Sequence, residues 1–193
     1  MANTNPTHVV TGKVRLSYEH IMKPYANTTN DPEAKPKYSV TVLVPKSDTA
    51  TMARINAGIA AAKKRGLETK KFKDGTPVDK LPTPIWDGDG YRADGYSSFG
   101  PEAKGCWVFT ASCAAERRPA VVDINCQPIL DPTEIYSGIY GRVGVDFFPY
   151  NFAGKQGVGC SLVNVQKLSD GEPLGAARPS AEDDFGGDFD PLG

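Results

Sequence analysis

The chain has 193 residues, 39% of them hydrophobic and 23% charged, enough to bury a core within one domain and to exclude wholesale disorder. No apolar run approaches the ~18 residues of a membrane span, and the N-terminus lacks a basic stretch leading into an apolar one. The expected location is therefore the cytosol of the cell that makes it. The formal net charge of -1 hides a segregation: Ser180 to Gly193 holds five acids and no base, so 22 bases stand against 18 acids before it, a body of +4. A mildly basic body with an acidic end points toward nucleic acid.

In chain order, Val9 to Tyr18 alternates, with Val10, Gly12, Val14, Leu16 and Tyr18 on one face and Thr11, Lys13, Arg15 and Ser17 on the other. Strict alternation predicts a half-buried strand. Glu19 to Pro36, with three prolines and an Asn-Thr-Thr-Asn-Asp stretch, reads as a loop or irregular arm. Lys37 to Pro45 alternates again, with Tyr38, Val40, Val42 and Val44 inward.

A helix follows, capped by Ser47 or Asp48, with Met52, Ile55, Ile59 and Ala62 in one stripe and Gly66 suited to the C′ position. Lys63, Lys64 and Arg65 complement the dipole of its last turn, and a DNA contact is their second reading. Leu67 to Gly105 is long and punctuated by Gly, Pro and Asp, with short strands at Pro84-Ile-Trp and Gly90-Tyr-Arg. A compact domain seldom carries such a connection unless it is functional. Strand-like sequence returns at Cys106 to Ala114, Ala120 to Ile129, Tyr136 to Tyr150 and Gly157 to Lys167, then gives way to Ala, Pro, Ser, Gly and acids from Ala176. Many short strands joined by turns predict a barrel or sandwich.

Catalytic groupings are missing. There is no G-x-S-x-G, H-E-x-x-H or Walker A loop, and the chain reads as a non-enzyme with no catalytic residue and no cofactor. Cys106, Cys113, Cys126 and Cys160 form no C-x-x-C pair and read as small buried hydrophobes with reduced thiols, not as a metal site. Asp87-Gly-Asp-Gly-Tyr-Arg-Ala-Asp94 reaches Ser98 where an EF-hand loop needs Glu, so it reads as a solvated turn.

Binding is better supplied. Tyr136, Gly138, Tyr140 and Arg142 share one strand face while Ile139, Val143, Val145 and Phe147 supply the opposite, aliphatic one. Flat rings beside a guanidinium suit bases that stack while phosphates meet the cation. Lys13 and Arg15 give the first strand a basic exterior; Trp107 and Phe109 share a face, and Arg117 follows in a turn. These eight residues, Lys13, Arg15, Trp107, Phe109, Arg117, Tyr136, Tyr140 and Arg142, are the candidate DNA contacts. For any single aromatic among them, barrel core is the competing reading.

The stretches GKVRLSY, KYSVTVLVPKSD, PIWDGDG, IYSGIYGRVGVDFFPYNFAGKQGVGCSLVNVQKLSDGEPLG and AEDDFGGDFDPLG together resemble the tailed-phage single-stranded-DNA-binding proteins that have one OB-fold and an acidic C-terminal tail. The resemblance implies a mainly β fold: an OB-fold-like five-stranded barrel with one helix and long loops over residues 1–175, then a disordered, flexible acidic tail over 176–193. It implies a protein that coats single strands without sequence preference during phage DNA replication, recombination and repair, in the cytoplasm of the infected bacterial host. Double-stranded DNA is a secondary expected partner. The tail, with Asp183, Asp184, Phe185, Asp188, Phe189 and Asp190, is expected to modulate binding and to dock replication proteins. The helix comes earlier than an OB barrel places it, so either a strand hides between Glu19 and Pro36 or the topology is modified. The alternative from another class is a β-rich phage virion or assembly protein with a solubilising tail.

Overall fold

The computed structural model describes residues 5–29 and 31–175. Eight strands and one long helix account for most of the regular structure: β1 (His8–Val10), β2 (Val14–Tyr25), β3 (Lys37–Pro45), α1 (Thr49–Glu68), β4 (Trp86–Asp87), β5 (Cys106–Ala114), β6 (Ala120–Val122), β7 (Tyr140–Phe152) and β8 (Lys155–Ser169).

Five of these strands close a ring. β2 pairs β3, β3 pairs β5, β5 pairs β8, β8 pairs β7, and β7 returns to β2 through Val14 opposite Gly141 and Arg15 opposite Tyr140. Only the β5–β8 contact within the ring is parallel. A five-stranded ring in this order is the OB arrangement. Its interior holds the alternate residues of each strand, among them Val14, Leu16, Val40, Val42, Phe109, Val143, Val145, Phe147 and Val165. β1 extends the sheet beside β7, and β6 pairs the far side of β8.

The helix sits between the second and third ring strands and plugs the barrel against β7, β1 and β8. Asp48 caps it by accepting the Thr51 N–H at 3.0 Å. Ile55, Ile59 and Ala62 are buried, and the absence of a side chain at Gly58 lets Phe147 and Val9 approach its backbone. Gly66 proves to be helical, with Thr69 at the C-cap.

The structure corrects some expected boundaries. The strand expected over 9–18 is two, broken at 11–13, because Thr11 turns inward and bonds Val143 N through its hydroxyl at 2.9 Å. Tyr18 leaves the inner face at a bulge with φ +45° and stands exposed. The expected arm at 19–36 is strand as far as Tyr25, held to β3 through two register shifts that no alternation rule anticipates. Among the described residues no separate strand lies there: β2 runs on to Tyr25, and of the two open alternatives the helix position is a modified topology. At the C-terminal side β6 is only three residues long, and Cys126, expected buried, is exposed in the turn after it with φ +61°.

The connection between α1 and β5, residues 69–105, carries a flap in its second half. Its centre, β4, pairs the outer edge of β5, and Tyr91 bridges Ser98 further out. Beyond β8, residues 170–174 fold back as a strap, where Leu174 donates its N–H to Ser137 O at 2.8 Å and packs with Leu43, Ala103 and Val108. That cover explains why Leu43, on the outer face of β3, is as buried as its inward neighbours. The expected tail, 176–193, lies outside the described residues.

Candidate nucleic-acid interface

Register builds a row across the outer face of the barrel. Tyr140 lies opposite Arg15, Arg15 opposite Leu43, Leu43 opposite Val108, and Val108 opposite Trp86. The next row along runs Ser17, Thr41, Thr110, with the two threonine hydroxyls 3.2 Å apart. Between this face and the flap lies a cleft of about 390 Å³. Its floor is Ser17, Thr41, Leu43, Val108 and Thr110; its walls include Tyr18, Trp86, Arg92 and Phe99. The Arg92 guanidinium lies 4.8 Å from the Phe99 ring centroid and donates to Ser98 O at 3.3 Å, which aims it across the flap. Tyr18 and Trp86 are 62% and 40% exposed. An apolar floor with a hydroxyl row, open aromatic faces and one oriented guanidinium can take a flat base and an adjacent phosphate.

The flap is latched at its root. Lys46, at the end of β3, donates to Asp87 at 2.5 Å and to Asp89 at 2.7 Å, and its ammonium sits 5.0 Å from the Trp107 ring centroid. Asp89 also accepts the Gly105 N–H at 3.0 Å. The Lys46 hydrogen bond holds both carboxyls below the ordinary aspartate value and the ammonium above the ordinary lysine one. The Asp-Gly-Asp-Gly stretch is thus the carboxylate half of an ion-paired latch.

Among the expected contacts, the structure brings Lys13, Arg15 and Tyr140 together. The Lys13 ammonium lies 4.7 Å and the Arg15 guanidinium 5.7 Å from the Tyr140 ring centroid. Arg15 is pinned by Gly138 O at 3.3 Å and Glu172 O at 2.6 Å. The strap runs close enough to Tyr140 that a Cβ on Gly171 would fall 2.9 Å from the ring. Tyr140 therefore organises two cations more than it offers a free face. Arg142 is exposed one position along the same face of β7, its Nε donating to Thr11 O at 3.2 Å.

The others separate. Phe109 is 1% exposed in the barrel core and has no surface for a base, because β5 turns its odd-numbered residues inward. Trp107 shares that inner face near the barrel mouth and is half-buried beneath Lys46. Tyr136 precedes β7 instead of continuing its ladder; its ring packs against the core, and its hydroxyl lies 3.2 Å from the Asp170 carboxylate and accepts the Gly171 N–H at 3.3 Å. Arg117 is exposed in the β5–β6 turn, beyond the end of β5 remote from the Val108 and Thr110 floor. Tyr18, Trp86 and Arg92 were not among the sequence candidates. The length of the 67–105 connection was the signal, but nothing in it says which face it covers.

Comparison with known proteins decides the family. The family model described as the single-stranded-DNA-binding protein of Enterobacter phage Enc34 matches residues 7–191. The chain belongs to this family. It is 28% identical over 176 residues to protein p50 of Acyrthosiphon pisum secondary endosymbiont phage 1, covering 89% of each chain. Among solved structures, it resembles the Enc34 single-stranded-DNA-binding protein in complex with single-stranded DNA, with TM-score 0.69 and 26% identity over 91% of this chain and 97% of that one. It also shares the fold of gp2.5, a single-stranded-DNA-binding protein of bacteriophage T7, with TM-score 0.57 and 18% identity over 96% of both chains. This member of the Enc34 family is thus a phage single-stranded-DNA-binding protein of mainly β, OB-like fold, with a binding function.

Proposed function

We propose that the chain coats single-stranded DNA without sequence preference by seating bases in the cleft between the flap and the β2–β3–β5 face. The supporting observation is the convergence of Tyr18, Trp86, Arg92 and the threonine row on one apolar floor. Stacking on aromatic faces is tolerant of sequence because every base has a π-face, and the hydroxyls and cations meet backbone. Lys13, Arg15 and Arg142 lie along the same outer surface and extend its positive field. Phage DNA replication, recombination and repair, in the cytoplasm of an infected bacterium, are the settings in which such coating acts.

The acidic tail is proposed to compete with DNA for this surface. Its root is favourable: Leu174, next to the last described residue, packs against the cluster of Leu43, Ala103 and Val108 that also lines the cleft. A tethered anion with five acids acts there at high effective concentration. The same tail, through Phe185 and Phe189 among its acids, is the proposed dock for replication proteins. Duplex DNA is a weaker partner, attracted by charge but unable to splay its bases into the cleft.

The test is a titration of labelled oligo-dT, a mixed-sequence strand and a hairpin duplex. Both single strands should bind alike and above the duplex, with log affinity falling against log salt at about -0.7 per phosphate contacted. Binding that prefers the duplex, or ignores salt, contradicts the reading.

A further inference from the structure

We propose that a basic shelf at the end of α1, away from the latch, is a second phosphate-binding surface that takes the strand after it leaves the cleft. This rests on the single-strand reading above and extends it to a different part of the molecule. Residues 63–73 hold six cations, Lys63, Lys64, Arg65, Lys70, Lys71 and Lys73, against one acid, Glu68. All but Lys63 are exposed. Among the described residues, Lys64 alone of the six has an ion-pair partner, Glu68 at 3.8 Å.

The cluster is shaped, not merely solvated. Lys71 donates its N–H to Gly66 O at 2.8 Å, and buried Phe72 lies so close over Gly66 that a Cβ there would fall 2.2 Å from the ring. Only glycine at 66 allows this, and the result folds the Lys70–Lys73 loop back onto the helix end. The β7–β8 hairpin then fixes it from the side. Asn151 Nδ2 donates to Lys71 O at 3.0 Å, and Lys73 N–H donates to Gln156 Oε1 at 2.8 Å. The tip of that hairpin adds Lys155 and Phe152, whose side chain is 81% exposed. Seven cations beside an open aromatic ring reproduce, on another face, the combination that binds a single strand. Complementing the helix dipole accounts for Arg65 in the last turn, but not for the lysines beyond the helix.

The shelf is continuous with the cleft. Val158 of the hairpin donates to Pro82 O at 3.0 Å, and the chain runs from Pro82 through Pro84 to Trp86, both of which line the cleft. Trp86 to Pro82 is four residues and Val158 to Gln156, at the shelf, two more, so the path from cleft wall to shelf is at most about 20 Å of chain plus one hydrogen-bonded crossing.

The experiment compares the full chain with its Lys70→Ala/Lys71→Ala/Lys73→Ala and Phe152→Ala variants, all at exposed positions. Titrations use oligo-dT of about 6 nucleotides, short enough for one OB groove, and of about 30 nucleotides. The triple variant should bind the short oligonucleotide like the unmutated chain. On the long one it should lose affinity, with a salt slope flatter by about 2, roughly 0.7 for each of three phosphates. Phe152→Ala should weaken long-strand binding about five-fold or more and leave the salt slope alone. Unchanged long-strand slopes in a folded triple variant overturn the proposal. So does binding of a synthetic 176–193 peptide that the triple mutation removes while both oligonucleotides bind as before, since the shelf then serves the acidic segment. If the unmutated chain fails to hold the short strand but the long-strand slope still falls in the variant, the shelf stands and the cleft reading fails.

Discussion

Two aromatic residues show how burial separates binding from folding. Trp86 stands half-open at the cleft wall, whereas Phe109, one strand away, is core. Trp86→Ala should cost on the order of 1–3 kcal/mol of single-strand affinity with thermal stability kept, and Trp86→Phe should cost less. Phe109→Ala should cost roughly 3–5 kcal/mol of stability, read by denaturant unfolding, without a specific effect on a folded fraction's affinity. The cysteines divide in the same way. Burial pushes the Cys106, Cys113 and Cys160 thiols up, Cys160 well up, while Cys126 stands exposed. A thiol-alkylating reagent at neutral pH should label Cys126 first, and Cys160 only on unfolding, as followed by peptide mass. The inward sides of β3 and β7 were legible from alternation. The first ladder was legible only at Val14 and Leu16, Val10 and Tyr18 being exposed and Thr11 buried. Phe109 was misplaced because a strand inside a barrel shows the same alternation whichever face meets the ligand, and period alone carries no sign.

At the scale of elements, the helix cap and the flap latch make separable predictions. Asp48→Ala should cost about 1 kcal/mol of stability, because the Thr51 N–H loses its acceptor. The latch depends on pH. Asp87 and Asp89 titrate below the ordinary 3.8 in the folded chain because Lys46 bonds them, so their contribution is present above that value and is lost as pH falls through their lowered values. Lys46 titrates above 10.5, so the other edge of the window lies in strong alkali. Trp86 emission, reporting the flap, should therefore stay level across the neutral range and change only at those extremes. A transition near neutral pH would mean that another group holds the flap. β3, β5, β8 and most of α1 were legible, each being a long segment with one clear period. The flap, the strap and the second half of β2 were not. Their places depend on bulges, on a two-residue strand and on chain return over Leu43, all set by contacts distant in sequence.

For the whole molecule, five strands close a ring whose outer face and flap define a cleft. Removal of Ser180 to Gly193 should tighten DNA binding most at low salt, where the Debye length is long, and leave the melting temperature nearly unchanged. Equal affinities at low ionic strength would leave the tail no competitive role. The central claim is that single-stranded DNA occupies the cleft beneath the flap, and fluorescence tests it most directly. In a Trp107→Phe chain, Trp86 is the sole tryptophan. Saturating oligo-dT should quench its emission in proportion to binding measured independently by anisotropy of the labelled strand, and added salt should reverse both together. Anisotropy that rises to saturation while Trp86 emission stays unchanged would place the strand elsewhere and contradict the account.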